Sequence, residues 1–174
     1  CKPIWTRIAM NTVKPASELL RQLAEAMRPA VTPDTVLVGI YTGGVWIAEW
    51  LRDTLGVKAP VGSIDVSYHR DDHHLGGGRG GGKASQLHFD VEGAHVVIVD
   101  DVLATGRTIR AAMNELFDYG RPARIDLAVL VDRGGRELPI AARWTAQAVS
   151  LPVSQTLELT RNADGELAFR VTEK

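Results

Sequence analysis

The chain has 174 residues and a formal net charge of −1, and 45% of its residues are hydrophobic. This length fits one domain, and the composition is that of a globular protein, which excludes a disordered or fibrous chain. The near-neutral charge argues against an overall basic nucleic-acid binder. One cysteine, Cys1, excludes an internal disulfide framework. No apolar run approaches the roughly 20 residues that cross a bilayer, so we expect a cytoplasmic protein without a membrane partner.

The first half of the chain predicts two helices around one strand. Leucines at helical spacing indicate a helix over residues 16–29. Thr35–Ile40 is a continuous apolar run rich in β-branched residues, which is typical of a strand buried on both faces. A glycine-containing turn, Tyr41–Gly44, then leads into a predicted helix over Val45–Leu55, which Gly56 can cap.

The same succession of elements returns further along the chain. His95–Asp100 predicts a second buried strand, Gly106–Tyr119 a helix, and Arg124–Val131 a third strand. Strand, glycine turn, helix and strand in this order indicate βαβ units. We therefore predict an α/β fold with a mainly parallel, twisted sheet and helices on both of its faces.

Two segments depart from this pattern. Residues 76–83 hold six glycines around Arg79, a density that no packed element tolerates, so we predict a mobile loop. Near the end of the chain, two partly alternating runs flank Asn162–Gly165, which is a hairpin signature. We expect one domain over residues 1–174, with C-terminal strands in a hairpin within residues 153–174.

The segment with the most chemical content is Asp100–Thr108, where a buried strand ends in two carboxylates and a short loop opens a helix. Ligands of open α/β sheets bind outside the carboxyl ends of the strands. The N–H groups at a helix N-terminus form an anion site, and Gly106 lets a phosphate approach them closely. Thr105 and Thr108 add hydroxyl donors. This segment therefore predicts a phosphate site.

Asp100 and Asp101 would repel a phosphate unless they face another group. Sugar hydroxyls or a hydrated Mg²⁺ are natural partners, so a phosphate beside two carboxylates predicts a ribose 5-phosphate ligand. The alternative is an acidic pair that only favours the helix dipole. The strand before the pair and Thr105–Thr108 after it favour the ligand site. The sequence contains neither a P-loop motif nor a dinucleotide fingerprint between a strand and a helix.

Asp100–Thr108 with its leading strand resembles the 5-phosphoribosyl-1-pyrophosphate (PRPP) motif of type I phosphoribosyltransferases. Three further segments, Ser67–Asp72, Asp118–Arg124 and Val131–Pro139, resemble the PyrR family of pyrimidine-operon regulators and uracil phosphoribosyltransferases. They lie in the expected order, and the resemblance covers roughly residues 14–172. It implies the type I phosphoribosyltransferase fold with a flexible flap.

The resemblance implies that PRPP binds to two loops. The residues it assigns to PRPP are Thr42, Gly43, Gly44, Asp100, Asp101, Ala104, Thr105, Gly106, Arg107 and Thr108. Tyr41–Gly44 would be the pyrophosphate loop, whose exposed amides hold the diphosphate; the alternative is a plain turn between a strand and a helix. Asp100 and Asp101 would also be catalytic and would hold Mg²⁺, the implied cofactor.

The implied flap covers residues 69–85 and closes over PRPP, which excludes water from a reactive transition state. Arg70 would be a catalytic residue that neutralises the departing pyrophosphate. Arg79 and Lys83 either assist it or are solvated charges of a flexible loop.

The resemblance places the acceptor base beside Asp132, Arg133 and Arg136, where backbone groups and an arginine would read the pyrimidine carbonyls; a salt-bridged turn is the alternative. Ala104 stands where purine phosphoribosyltransferases present a catalytic Asp. Alanine cannot act as a base toward a purine nitrogen, so this position favours a pyrimidine. The implied reaction converts uracil and PRPP to UMP and pyrophosphate.

Two other functions stand beside this one. The first is a nucleotide-sensing, RNA-binding attenuation regulator with vestigial catalysis. The second is a phosphoribosyltransferase for another base such as xanthine or orotate. Family members bind pyrimidine-operon leader RNA through a basic face of a dimer, whereas the arginines here are scattered (Arg110, Arg121, Arg124 and Arg143). The implied partners are PRPP, uracil, UMP or UTP, leader RNA, and copies of the chain in a dimer or larger oligomer.

Overall fold

The computed structural model describes residues 13–66 and 85–174, which form an α/β structure. In chain order the described elements are α1 (Ala16–Met27), β1 (Val36–Ile40), α2 (Gly43–Leu55), β2 (Gly62–Ile64), β3 (His95–Leu103), α3 (Arg107–Phe117), β4 (Arg124–Asp132), β5 (Trp144–Ala148), β6 (Gln155–Arg161) and β7 (Leu167–Glu173). The βαβ units predicted from the sequence are present.

Five of the strands form one parallel sheet in the order β2-β1-β3-β4-β5. After β1 the chain moves outward to β2, whereas after β3 it moves in the other direction to β4 and β5. The strand order therefore reverses between β1 and β3, and ligands of open α/β sheets bind in the crevice at such a point. The segments after β1 and β3 are the two predicted PRPP loops.

Two apolar cores lie on opposite faces of this sheet. One core joins α1, α2 and the β6–β7 pair to Val97 and Leu130 of the central strands. The other joins α3 to Val96, Ile98 and Val129. Successive residues of a central strand thus alternate between two buried faces, which explains the continuous apolar runs in the sequence. Helices on both faces confirm the predicted fold class.

The predicted C-terminal hairpin is also confirmed. Strands β6 and β7 pair antiparallel, and Leu157 and Leu159 of β6 are buried in the core that contains α1 and α2. In the turn, the side-chain oxygen of Asn162 accepts the N–H groups of Asp164 and Glu166 at 3.0 and 2.8 Å. A polar residue that hydrogen-bonds the following backbone is the reason why asparagine starts such turns.

Two strands of the sheet were not predicted. Strand β2 has three residues, and β5 is an edge strand on which only Trp144 is buried. Neither carries the run of apolar residues that indicates a strand in a sequence. Their pairing with β1 and β4 is a property of the assembled sheet.

Several predicted boundaries differ from the structure by one to three residues. Strand β3 continues to Leu103 because Val102 pairs with Val131 and Leu103 pairs with Asp132. The two carboxylates of the predicted phosphate site therefore lie within the strand and not at its end. Helix α1 ends at Met27, two residues before the predicted end.

The predicted flap at residues 69–85 lies outside the described residues apart from Ser85, and so does Arg70. A single domain over residues 1–174 stays a prediction. Within residues 13–66 and 85–174, no helix combines the length and the apolar character that a membrane span requires.

Candidate active site

The pyrophosphate loop lies directly against the end of β3. Helix α2 begins at Gly43, two residues earlier than predicted, and Thr42 is its N-cap residue. A Cβ on Gly43 would be 2.6 Å from a carboxylate oxygen of Asp101, and a Cβ on Gly44 would overlap the carbonyl oxygen of Val99. The absence of side chains at both glycines therefore lets the start of α2 approach β3.

Asp100 and Asp101 point to different sides of β3. The contact with Gly43 puts Asp101 on the face covered by α2. Residues alternate along a strand, so Asp100 lies on the face covered by α3, where it is 5% exposed. Each carboxylate accepts the next backbone N–H, from Asp101 at 2.9 Å and from Val102 at 2.8 Å. These hydrogen bonds fix the orientation of both carboxylates.

The phosphate loop, Ala104–Gly106, connects β3 to α3. The hydroxyl oxygen of Thr105 accepts the N–H of Arg107 at 3.2 Å, in the first turn of the helix. Gly106 has a φ of +93°, a conformation that side-chain-bearing residues rarely adopt. A Cβ there would also stand 2.9 Å from the side chain of Ile140. Glycine at this position thus satisfies both the backbone conformation and the packing.

A supporting segment, residues 132–140, follows β4 and packs against the phosphate loop. Its centre is an ion pair in which Arg136 donates to both carboxylate oxygens of Asp132, at 2.9 and 2.5 Å. These hydrogen bonds lower the pKa of Asp132 below its usual value, against the opposing effect of burial. Arg136 also donates to the carbonyl oxygens of Ala104 at 2.8 Å and Ile140 at 2.7 Å.

Arg133 anchors the hairpin. Its guanidinium donates to the carbonyl oxygen of Gln155 at 2.6 Å and to that of Pro152 at 3.2 Å. The contacts of Arg133 and Arg136 are those of the salt-bridged turn that was the alternative to base recognition. A role of Asp132 and the two arginines in reading the nucleobase stays a prediction.

Three neighbours of the phosphate loop were missed by reasoning from the sequence. The backbone N–H groups of Glu137 and Leu138 donate to the carbonyl oxygen of Thr105 at 3.0 and 3.1 Å. The Glu137 carboxylate accepts the Nε–H of Arg107 at 2.7 Å, and Ile140 packs beneath Gly106. Backbone donors and a packing contact leave no signal in residue type, so only the folded structure identifies them.

The two carboxylates suit a cation that keeps part of its hydration. In the described parts of the chain no group of three or more His, Cys, Asp or Glu side chains is arranged to hold a metal ion. Mg²⁺ commonly binds through one or two carboxylates while water and substrate phosphates complete its shell. A single carboxylate from this pair fits that mode, whereas the described residues do not fit a site built from protein ligands alone.

Comparison with known sequences agrees with this geometry. A family model for the phosphoribosyl transferase domain matches residues 8–153. The bifunctional protein PyrR of Pseudomonas entomophila is 44% identical over 155 residues, which cover 87% of this chain and 90% of that protein. The bifunctional protein PyrR of Pseudomonas paraeruginosa is 45% identical over 166 residues, covering 93% of this chain and 97% of that protein.

Comparison with solved structures supports the same fold. The hypoxanthine phosphoribosyltransferase of Trypanosoma cruzi matches with a TM-score of 0.64 at 19% identity, over 91% of this chain and 94% of that one. The purine phosphoribosyltransferase of Pyrococcus horikoshii matches with a TM-score of 0.58 at 24% identity, over 77% and 82%. The chain belongs to the phosphoribosyltransferase family and, within that family, to the bifunctional PyrR proteins.

Proposed function

We propose that the chain transfers the phosphoribosyl group of PRPP to uracil and releases UMP and pyrophosphate. The observation that carries this proposal is the contact between Gly43 and Asp101, which joins the two predicted PRPP loops at the point where the strand order reverses. A ligand with a phosphate at one end, a pyrophosphate at the other and a diol between them fits two anion loops with carboxylates beside them.

Each part of the crevice is proposed to bind a different portion of PRPP. The phosphate loop and the first turn of α3, up to Thr108, bind the 5-phosphate through backbone amides and threonine hydroxyls. The pyrophosphate loop at Thr42–Gly44 binds the diphosphate. Asp100 and Asp101 orient the ribose hydroxyls. In the reaction a ring nitrogen of uracil forms a bond to the anomeric carbon, the bond from that carbon to pyrophosphate breaks, and the nitrogen proton passes to solvent.

Asp100 and Asp101 are also the residues that would hold Mg²⁺. An ion held by these carboxylates would supply positive charge that stabilises the departing pyrophosphate. The chain's own contribution is to fix the carboxylates, which the hydrogen bonds from the Asp101 and Val102 amides achieve. Arg70 is proposed to add a further positive charge.

The acceptor is proposed to bind next to the supporting segment, beside Asp132, Arg133 and Arg136. Two observations support a pyrimidine acceptor. Ala104 supplies no carboxylate that could take a proton from a purine nitrogen. The neighbouring carboxylate, Asp132, is paired with Arg136, and its lowered pKa keeps it ionised and held in that pair.

Consumption of PRPP against a panel of bases tests the acceptor. The panel is uracil, orotate, xanthine, hypoxanthine and guanine, each assayed with Mg²⁺ at equal concentration. We expect kcat/KM for uracil to exceed that for each other base by at least about a hundredfold, a ratio that hydrogen-bonded recognition of a substrate can provide. Turnover of a purine without turnover of any pyrimidine would refute the argument from Ala104.

RNA binding is a second proposed function, and the name of the relatives favours it, because those proteins are called bifunctional PyrR proteins. Arg110, Arg121, Arg124 and Arg143 are exposed, so cations for phosphate contacts are present on the surface. Filter binding of pyrimidine-operon leader RNA over a salt series, with and without UMP or UTP, tests this function. An affinity equal to that of bovine albumin would exclude it.

We also propose that the chain assembles as a dimer or a larger oligomer, since a regulator that reads RNA through a dimer face requires at least two copies. Sedimentation velocity at micromolar concentration measures this directly. A single species with the mass of one chain across the concentration range would contradict it.

A further inference from the structure

Three consecutive carbonyl groups, at the end of β3 and in the phosphate loop, are held by the supporting segment. The carbonyl oxygen of Leu103 accepts the backbone N–H of Arg133 at 2.9 Å. The carbonyl oxygen of Ala104 accepts a guanidinium N–H of Arg136 at 2.8 Å. The carbonyl oxygen of Thr105 accepts two backbone N–H groups of the supporting segment, at 3.0 and 3.1 Å. Three consecutive peptide units are thus bound to residues 133–138.

Peptide geometry gives this arrangement a consequence for the amides. In a planar trans peptide the C=O of one residue and the N–H of the next point in opposite directions. The N–H groups of Ala104, Thr105 and Gly106 therefore point away from the supporting segment. Among residues 13–66 and 85–174 no acceptor contacts these three amides. Successive amides directed to one side form an anion-binding concavity.

We infer that Arg136 is a positioning residue for the 5-phosphate of PRPP, because it fixes the peptide unit between Ala104 and Thr105. This inference rests on the proposed function, in which the phosphate loop binds that phosphate. The other carbonyls of the loop are held by backbone N–H groups, so Arg136 is the side chain on which the geometry of this concavity depends.

Arg136 suits this role because its own position is fixed. Its guanidinium spans both carboxylate oxygens of Asp132 and the carbonyl oxygen of Ile140 while it holds Ala104. The planar fork of arginine serves several acceptors at once, which the point charge of a lysine does not. The Arg136 side chain therefore fixes the phosphate loop relative to β4 and the supporting segment.

The pyrophosphate loop is positioned independently. Gly43 and Gly44 are packed against Asp101 and Val99 of β3, and these contacts involve no residue of the supporting segment. Loss of the Arg136 side chain should therefore weaken binding of the 5-phosphate and leave binding of pyrophosphate unchanged. A purely structural role in stability would weaken both.

Calorimetry with three probes distinguishes these roles: PRPP, ribose 5-phosphate and pyrophosphate, each with Mg²⁺. The test variant is Arg136→Gln, which removes the fork. The matched control is Arg28→Gln, which breaks an exposed arginine–carboxylate pair with Glu25 on α1, whose N···O distance is 3.0 Å. For Arg136→Gln we expect about tenfold weaker binding of PRPP and of ribose 5-phosphate, in line with the loss of charge-assisted hydrogen bonds. Pyrophosphate affinity should stay within about twofold, and the control should match the original protein for all three probes.

Asp132→Asn provides a second variant if Arg136→Gln does not fold. It keeps the guanidinium but weakens the ion pair that orients it, so ribose 5-phosphate should bind about threefold more weakly. Equal losses for all three probes, or no loss for ribose 5-phosphate in a folded variant, would overturn the inference. Failure of the original protein to bind PRPP would instead refute the proposed function, and the inference with it.

Discussion

Gly43 and Asp101 lie so close that a Cβ on Gly43 would stand 2.6 Å from a carboxylate oxygen of Asp101. This contact joins the start of α2 to the end of β3. Because the obstructing atoms belong to a side chain, Gly43→Ala should displace the carboxylate and leave the fold intact. We expect kcat/KM for PRPP to fall by about tenfold or more, since small displacements of positioning groups have effects of this size. Steady-state kinetics with uracil as acceptor measures the change.

Gly44→Ala is the matched comparison for this variant. Its Cβ would meet the backbone carbonyl of Val99 and not a side chain that can rotate, so the helix itself must move. We expect Gly44→Ala to lower the melting temperature more than Gly43→Ala, by several degrees, because overpacking of a core contact is destabilising. Equal melting temperatures for the two variants would contradict this picture of the contact.

The double variant Asp100→Asn with Asp101→Asn removes both negative charges and keeps the shape of both side chains. The amide oxygen of Asn can still accept the backbone N–H groups of Asp101 and Val102, so the fold should survive. PRPP binding should be lost because the ligands of the ribose hydroxyls and of Mg²⁺ are gone. Calorimetry with PRPP and Mg²⁺, beside circular dichroism, measures both properties; unchanged PRPP affinity would refute the site.

Removal of Mg²⁺ tests the proposed cofactor separately from the residues. With EDTA in excess, turnover of uracil and PRPP should fall to background, and readdition of Mg²⁺ should restore it. The melting temperature without substrates should not change, because no group of three or more potential ligands is arranged around a metal in residues 13–66 and 85–174. Full activity in EDTA would show that the carboxylates act without the ion.

A charged cluster around Asp126 lies at the other end of the strands from the active site. We expect it to make the stability of the fold depend on pH. One carboxylate oxygen of Asp126 accepts hydrogen bonds from His95 at 2.7 Å and from Arg124 and Arg143, each at 2.9 Å. Burial by itself raises the pKa of Asp126, but the three hydrogen bonds outweigh it and hold the pKa below the ordinary value of 3.8.

Because the pKa of Asp126 is lower in the folded chain than in the unfolded one, its contribution to stability is present above that ordinary value. It is lost as the pH falls through the folded pKa. Asp126→Asn should therefore reduce the free energy of unfolding by about 2 kcal/mol at neutral pH, and the difference from the original protein should shrink in acid. Urea titrations from neutral pH to below 3.8 measure it. A difference that is constant over this range would show that the charge of Asp126 is not responsible.

The fold was largely predictable because its buried central strands appear in the sequence as continuous runs of apolar residues. Residues 96–99 are fully buried, and a run of apolar residues is the only composition that such a position allows. Strands β2 and β5 were missed because their pairing is decided at the edges of the sheet: β2 has only three residues, and only Trp144 of β5 is buried. The end of β3 was misplaced for a related reason: Val102 and Leu103 continue as a strand through pairing with β4.

The sequence by itself determined the chemical groups of the candidate site: two carboxylates, the glycine-containing loops and the threonine hydroxyls that suit a phosphorylated sugar. Only the tertiary structure decided how these groups face one another. It put Asp101 against Gly43, left Asp100 on the opposite face of the strand, and held the phosphate loop through Arg136. The physical reason is that residue type specifies which hydrogen bonds and charges are available, whereas direction and distance depend on strand order and on backbone groups that are the same in nearly every residue.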